Sequence, residues 1–371
     1  MNNPETQSRK ATLTPLQVTA FIIQTQVGVG LLALPSQLHE KAKSDAWISV
    51  LIAGLCVQLL IFLFYFLIRR FPHANLFDMA QLILGKVFGK ALNIVFAIYF
   101  ICVAAYVLSM FNYIIQLWLY ENTPQWFFKV LVVLTSLYLI KDRIKVIARF
   151  YVLMCSLLIV LVLIIINAYQ HVNFLYLMPF GQSGFTHILS GSKEAVMAML
   201  GFETLLVIHK QSHATQKQKL IAGTIGTSIV TIFYTFLVLT CLVFFSPDEI
   251  PLIPQPVLYV LKSLSFTFIE RIDVIFLTIW VISVTTSYMS FVYTASLSLE
   301  SIFKKKHTFF IWILGALSFC ISLLLRNVLQ IKAFGNFINL GGLVCCVGVP
   351  IFLYLVAVLF KKRQPHKESS T

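Results

Sequence analysis

The residues Gly28-Val29-Gly30 interrupt an apolar stretch, 16–35, that otherwise has the length of a membrane-spanning helix. A similar interruption recurs later, where Gly201-Phe202-Glu203-Thr204 lies inside the apolar stretch 187–208. Lipid cannot hydrogen-bond to an open backbone, so a helix break at membrane depth persists only where it faces protein or a water-filled cavity. Two breaks at matching positions in the two halves of a chain indicate a solute site near the bilayer midplane. We therefore predict that a small molecule binds between them.

The composition is that of an integral membrane protein. Of 371 residues, 59% are hydrophobic and 11% are charged, whereas about 25% are charged in a typical soluble domain. A spanning helix needs about 20 mostly apolar residues, and ten segments approach that length. They are roughly 16–35, 46–68, 92–119, 126–140, 146–168, 187–208, 220–245, 272–298, 309–325 and 334–360. We predict an all-α integral membrane protein of about ten transmembrane helices that forms a single domain over residues 1–371.

Basic residues are concentrated on one side of the predicted membrane. With the N-terminus inside, 20 of the 28 Lys and Arg residues fall in cytoplasmic segments and the other eight in outside loops. This split matches the positive-inside rule and predicts that both termini are cytoplasmic, with 361–371 as a basic cytoplasmic tail. The net charge of +14 is therefore a topology signal. We predict contact with membrane lipid and no nucleic-acid partner.

Two connections are predicted to have structure of their own. Apolar residues recur near helical spacing over 79–89, which indicates a short helix lying along the cytoplasmic face. The outside loop that contains Pro247, Pro251, Pro254 and Pro256 cannot be a continuous helix. We expect a small capping helix over 257–268 after this loop.

Glu203 is a carboxylate inside an apolar segment. A charge at that depth costs about 3 kcal/mol on insertion scales and usually faces a cavity or a partner. Its position in the second break favours a functional role, either holding freed backbone amides or carrying a proton. The competing interpretation is that the side chain lies near the inner helix end and reaches out beside His209 and Lys210.

The other candidate site residues also have two interpretations. The stretch Gln26-Val27-Gly28-Val29-Gly30, with Thr25 before it and Pro35 after it, predicts an unwound segment and a short half-helix whose free amides suit a carboxylate. Gly28 and Gly30 are equally compatible with close helix packing. Tyr106, Thr285, Thr286 and Ser287 are polar at comparable depth. Such residues more often form hydrogen bonds between helices than contact a ligand.

Catalytic and metal-binding patterns are lacking in the sequence. There is no Ser/His/Asp set, HExxH, GxSxG or Walker loop at a position compatible with a membrane. The seven cysteines lie in apolar segments without a CxxC pattern and are expected to pack as small apolar residues. We predict a protein that is not an enzyme and has no cofactor and no metal site.

Short motifs in a fixed order give the chain a family resemblance. Two broken helices among ten look like the five-plus-five inverted repeat of the amino acid/polyamine/organocation superfamily, a LeuT-like arrangement with breaks in helices 1 and 6. Within it the chain resembles the B subunits of spore germinant receptors, the endospore germination permeases. The motifs are Thr14-Pro15-Leu16-Gln17, Gly28-Val29-Gly30-Leu31-Leu32 with Pro35, Asp45-Ala46-Trp47-Ile48, Phe71-Pro72, Leu84-Gly85-Lys86-Val87-Phe88-Gly89, Gly201-Phe202-Glu203, and Glu270-Arg271-Ile272-Asp273 before Trp280.

The resemblance implies a first repeat over about 14–169 and a second over about 187–360. It also implies a subunit of the inner membrane of a dormant spore that works with A-type and C-type receptor subunits. Such a subunit senses a small nutrient, here expected to be amino acid-like, in a transporter-type pocket whose wall includes Gly28, Val29, Gly30, Gly201, Phe202 and Glu203. The main rival is a working amino-acid permease. A purely structural membrane subunit would leave both breaks unexplained.

Overall fold

The computed structural model describes residues 12–264 and 271–364. The regular secondary structure in these ranges is helical, and the sole β-type pairing there is an isolated bridge between Leu13 and Ser212. The helices are α1 (Pro15–Gln26), α2 (Leu34–Ala42), α3 (Ala46–Arg70), α4 (Leu76–Leu84), α5 (Lys86–Trp118), α6 (Gln125–Ile140), α7 (Ile144–Ile166), α8 (Phe185–Ala198), α9 (Thr204–Ile208), α10 (Gln216–Phe244), α11 (Pro256–Ser263), α12 (Ile272–Phe303), α13 (His307–Leu324), α14 (Val328–Gly342) and α15 (Val349–Leu359).

Several of these helices are long and apolar enough to cross a membrane. In the described part of the chain there are seven such stretches: Leu34–Arg70, Lys86–Trp118, Ile144–His171, Gln216–Phe244, Ile272–Phe303, His307–Leu324 and Val328–Leu359. The apolar helix α6 has 16 residues, and α1, α8 and α9 are short because two breaks divide their segments. The chain is therefore a multi-pass, all-helical membrane protein, while the count of ten spans and the limits of the two repeats stay predictions.

The start of α1 is held by local capping and by a contact with the second half of the chain. The Thr14 backbone N–H donates to Gln17 Oε1 (3.0 Å), and Thr14 Oγ1 caps the backbone N–H of Gln17. This reciprocal arrangement satisfies two N–H groups that the first turn leaves free. Leu13 N–H also donates to the Gln211 carbonyl (2.9 Å), and Ser212 Oγ donates to the Leu13 carbonyl (2.9 Å). The beginning of α1 is thus fixed to the segment that follows α9.

Helices α1 and α12 lie at the centre of the bundle. Helix α1 packs against α7, α9, α10 and α12, and α12 packs along α5. One side of α12 carries small buried hydroxyl residues, which allow neighbouring helices to approach closely. They are Ser283, Thr286, Ser287, Ser290, Thr294 and Ser298. Helix α1, which ends at the first break, therefore packs against α12 in a polar layer inside an otherwise apolar core.

The structure corrects three predicted boundaries. The first apolar segment does not end at residue 35, because Pro35 lies in the first turn of α2, which continues to Ala42. The predicted helix 79–89 is wrong at its C-terminal end, because Gly85 at φ +86° ends α4 and Lys86 begins α5. The expected helix over 257–268 is observed as α11, Pro256–Ser263, and residues 265–268 lie outside the described ranges.

Candidate functional site

The first break opens the backbone in the middle of the first apolar segment. Helix α1 ends at Gln26, and the backbone leaves helical geometry at Val27 and Gly28. A single 3₁₀ turn, Val29–Leu32, then leads into α2. Pro35 suits the first turn of α2 because the N–H that proline lacks would have no partner there. The unwound segment followed by a half-helix is therefore present where the sequence predicted it.

The second break requires glycine at position 201. Helix α8 ends at Ala198, a turn covers residues 199–203, and α9 begins at Thr204. Gly201 has φ +124°, a region that residues with a Cβ rarely adopt. A Cβ at this position would lie 2.9 Å from the backbone nitrogen of Gln26 and 2.9 Å from the carbonyl carbon of Thr25. The two breaks are therefore in direct backbone contact.

Glu203 turns inward at the second break. Its side chain is 1% exposed, and Oε2 accepts a hydrogen bond from the Gly201 N–H (2.8 Å). Lys210 instead forms an ion pair with Asp78 of α4 (2.8 Å). The interpretation in which Glu203 reaches out beside His209 and Lys210 is therefore wrong. The carboxylate holds an amide that the interrupted helix leaves free.

Gln26 connects the two breaks. Its Nε2 donates to the Met199 carbonyl (2.9 Å), and its own carbonyl accepts from the Tyr234 hydroxyl of α10 (2.9 Å). Among the described residues, the Oε1 atoms of Gln26 and Glu203 are both buried without a hydrogen-bond partner. Two acceptors thus remain unsatisfied close to the contact between the breaks.

Helix α12 supplies hydroxyl groups to the first break. Thr286 Oγ1 donates to Gln24 Oε1 (2.6 Å), and Ser287 Oγ donates to the Thr25 carbonyl (3.0 Å). A Cβ on Gly28 would lie 3.0 Å from Ser287 Oγ, so Gly28 also serves close packing. The hydroxyl of Thr286 connects helices, as the more common interpretation of such residues predicts.

Two predicted site residues do not join this set of contacts. Thr285 Oγ1 donates to the Val281 carbonyl of its own helix (2.7 Å). Tyr106 lies against Gly335 of α14, where a Cβ would be 2.9 Å from the tyrosine ring. No hydrogen bond within the described ranges links either side chain to a break. Their assignment as ligand contacts has no support from the geometry.

The remaining predicted residues shape the apolar surroundings. Val27 and Val29 are buried, and Phe202 stacks on Phe64 of α3 with ring centroids 5.9 Å apart. Thr204 Oγ1 donates to the Gly201 carbonyl and so closes the turn before α9. Gly30 has more space: a Cβ there would be 3.6 Å from Ala198 Cβ, which is an ordinary contact.

Several residues at the breaks were not predicted. Gln24 accepts a hydrogen bond from Thr286, Tyr234 donates to the Gln26 carbonyl, and the Tyr151 hydroxyl donates to the Thr286 carbonyl (2.8 Å). The thiol of Cys346, in the π-helical turn Leu343–Gly348, lies beside the Glu203 carboxylate. The available signal was polarity inside an apolar segment. Polarity alone does not identify which of several polar residues faces the break.

A metal-binding arrangement is not formed by the described residues. Over 12–264 and 271–364 there is no group of three or more His, Cys, Asp and Glu residues that could hold a metal ion. All seven cysteines are free thiols.

An all-helical membrane bundle with two broken helices in contact at its centre is the LeuT-like transporter fold. A Na⁺-coupled sialic acid symporter in a substrate-bound outward-open state has this fold, with a TM-score of 0.68 at 13% identity, covering 94% of this chain and 79% of that one. The nucleobase-cation symporter Mhp1 superposes with a TM-score of 0.66 at 12% identity, covering 95% of this chain and 80% of Mhp1.

The chain belongs to the spore germination protein family, whose profile matches residues 12–331. The spore germination protein GerQB of Bacillus cereus is 24% identical over 95% of this chain and 98% of its own length. Spore germination protein YndE of Bacillus subtilis (strain 168) is 25% identical over 93% of this chain and 96% of its own length. The proteins named here are germination proteins and transporters rather than enzymes.

Proposed function

We propose that this chain is the B-type subunit of a spore germinant receptor, in which a small, amino acid-like nutrient binds between the two helix breaks. Family membership over most of the chain supports the germination role. The contact of Gly201 with the backbone at Thr25 and Gln26 supports the position of the pocket. Binding then triggers germination through A-type and C-type receptor subunits.

The observation that carries the proposed pocket is the pair of unsatisfied oxygens, Gln26 Oε1 and Glu203 Oε1. A buried polar atom without a partner costs about 1–3 kcal/mol. An ammonium group has three N–H donors and no acceptor. A nutrient with an amino group could therefore satisfy both oxygens, while its carboxylate interacts with the free amides at the start of the 3₁₀ turn Val29–Leu32.

The proposed location is the inner membrane of the spore, with both termini cytoplasmic. The 20-to-8 distribution of Lys and Arg supports this orientation. In this orientation the bridge between Leu13 and Ser212 and the ion pair between Lys210 and Asp78 lie on the cytoplasmic side.

The second candidate function is amino-acid transport. The fold is shared with a Na⁺-coupled symporter and a nucleobase-cation symporter, and rocking of one bundle against the other would move a solute past the breaks. However, besides Glu203 the predicted spans contain only Glu194 and Asp273 as acidic residues, and Asp273 is paired with Arg271, so few groups are available to couple such movement to an ion gradient. Sensing is therefore the function that we favour.

A germination assay tests the proposal. Spores that carry this chain with its A-type and C-type partners should germinate in response to an amino acid, with a dose response that Gln26→Leu weakens tenfold or more. Gln58→Leu is the control, because the Oε1 atom of Gln58 is likewise buried without a partner, but the Gln58 side chain bonds to α10 at Thr224 and Ser228, away from the breaks. An unchanged response in Gln26→Leu, with the protein present in the membrane, would contradict the proposed pocket.

A further inference from the structure

A long apolar groove opens on the side of the bundle. It runs along α1 between α7 and α10 and has a volume of about 870 Å³, within the range of about 300–1,000 Å³ that is typical of ligand sites. Its floor includes Ile23 of α1, and its walls include Ile159 of α7 and Ile229 of α10. The wall residues remain exposed, with Ile159 at 63% and Ile232 at 67%. At this depth in a membrane protein, such side chains face hydrocarbon.

The groove is long enough to hold an acyl chain. Its lining on α10 runs from Ile221 to Phe236, which is about 22 Å at 1.5 Å per residue. The hydrocarbon of one leaflet is about 15 Å thick, half of a core of about 30 Å. A lipid tail that enters from one leaflet can therefore occupy about two thirds of the groove.

One end of the groove is basic. Arg149 of α7 precedes the lining residue Val152 by three positions, and Lys217 of α10 precedes Ile221 by four, so each lies on the same helix face as the lining. Both side chains are exposed. Helices α1, α7 and α10 together contain Lys145, Arg149, Lys217 and Lys219 and no Asp or Glu. All three helices also begin at this end, so their dipoles add to the positive potential.

We propose that the groove binds an anionic phospholipid, with an acyl chain between α7 and α10 and the phosphate headgroup at Arg149 and Lys217. Basic pockets between membrane helices are suited to anionic headgroups. A partner's transmembrane helix would fill an apolar groove without needing the basic end, so the charge favours the lipid. Because Ile23 and Val27 of α1 form part of the floor, the bound tail would pack against the helix that ends at the first break.

Native mass spectrometry of the purified full-length chain, titrated with phosphatidylglycerol or phosphatidylcholine, tests the headgroup contact. We expect preferential binding of phosphatidylglycerol. The double variant Arg149→Gln/Lys217→Gln should weaken that binding about 25-fold, since each basic residue near an anionic headgroup contributes about fivefold. Phosphatidylcholine binding should not change. Lys86→Gln/Lys90→Gln is the matched control, because both lysines are exposed but lie in the first turns of α5, away from the groove.

A second pair of variants tests the acyl-chain contact. Ile225→Trp places bulk inside the groove and should abolish phosphatidylglycerol binding, whereas Leu59→Trp alters an equally apolar, exposed position of α3 outside the lining and should not. The proposal would be overturned by equal affinity for the two lipids, by an equal loss of phosphatidylglycerol binding in Lys86→Gln/Lys90→Gln, or by unchanged binding in Ile225→Trp. It would also be overturned if a photoreactive residue at position 225 crosslinked, in native membranes, to a protein rather than to lipid.

Discussion

The α-carbon of Gly201 packs against the backbone of Gln26 so closely that a Cβ would lie 2.9 Å from the Gln26 nitrogen. This contact joins two helix breaks that are 175 positions apart in the chain. The side-chain amide of Gln26 donates to the Met199 carbonyl, and the backbone carbonyl of Gln26 accepts from the Tyr234 hydroxyl. An interrupted backbone inside a membrane is stable when its polar groups are satisfied by protein in this way.

Gly201→Ala should destabilise the protein and abolish the germination response. The substitution combines a positive φ, which costs about 1–3 kcal/mol, with backbone contacts under 3.0 Å. The measurement is the thermal unfolding midpoint of the purified chain together with the germination response of spores. Gly184→Ala is the control, because Gly184 also has positive φ, at +77°, but has no atom within 4 Å of its Cβ position. Equal effects of the two substitutions would show that contact between the breaks is unimportant.

Glu203→Gln should keep the folded structure but weaken the response, because one carbonyl oxygen cannot accept from both the Gly201 N–H and a nutrient ammonium group. Glu203→Leu should also destabilise the protein. The glutamine carbonyl can still accept from the Gly201 N–H, as Oε2 does now. Leucine leaves that buried N–H unpaired at a cost of about 1–3 kcal/mol. Unfolding midpoints and germination dose responses of both variants distinguish the roles. A glutamine variant that reaches the membrane in normal amount and keeps the full response would show that the nutrient does not bind to Glu203.

Gly30→Leu should remove the nutrient response without unfolding the protein. The Cβ position of Gly30 has an ordinary 3.6 Å contact with Ala198, and the residue is only partly buried, so a leucine can be built there. Its branched side chain would occupy space between the breaks. Membrane abundance and the dose response are the two readings, with Gln37→Leu at an exposed position of α2 as the control. A normal dose response would remove this part of the 3₁₀ turn from the pocket.

The sequence predicts where the backbone opens better than it predicts which side chains approach the opening. Glycine inside an apolar segment marks both breaks: Gly28 and Gly30 in the first and Gly201 in the second. Thr285 and Thr286 show the limit. They are equally polar and equally deep, but one position of difference rotates a side chain by about 100° around a helix of 3.6 residues per turn. Thr286 bonds to Gln24, whereas Thr285 bonds back to its own helix.

Hydrogen bonds between residues far apart in the sequence also cannot be predicted, because they depend on how the helices pack. Tyr234 is one aromatic residue among many in an apolar helix, and its bond to Gln26 depends on how α10 packs on α1. The orientation of the Glu203 side chain cannot be predicted from the sequence either, because a carboxylate near a helix end can reach water or turn inward. Pairing of Lys210 with Asp78 removes the cation that the outward orientation would have used.

Cysteine labelling tests the proposed orientation. In a cysteine-free background, Asp248→Cys in the loop after α10 should react with a membrane-impermeant maleimide from outside. Lys305→Cys in the turn between α12 and α13 should react only after permeabilisation. Both positions are exposed, so accessibility differs only through the membrane side. Reaction of Lys305→Cys from outside would reverse the orientation that the Lys and Arg distribution predicts.

The last prediction separates a sensor from a transporter. A transporter must release its solute on the far side, so its bound state has to open both ways. A sensor needs a ligand that binds one conformation better than the other, because this difference in affinity shifts the population. Moving a population from 1:99 to 99:1 takes about 5.5 kcal/mol of such difference. Coupling to partner subunits can supply part of this free-energy difference.

We therefore expect the purified chain in liposomes to bind an amino acid but not to accumulate it. Binding is measured by equilibrium dialysis, and uptake is followed with radiolabelled amino acid under an imposed proton or sodium gradient. Gly30→Leu serves as the control that should lose binding and thus defines the background of both assays. Sustained, gradient-driven accumulation that Gly30→Leu abolishes would establish the permease function instead, because a sensor that only shifts between conformations has no net flux to couple to the gradient.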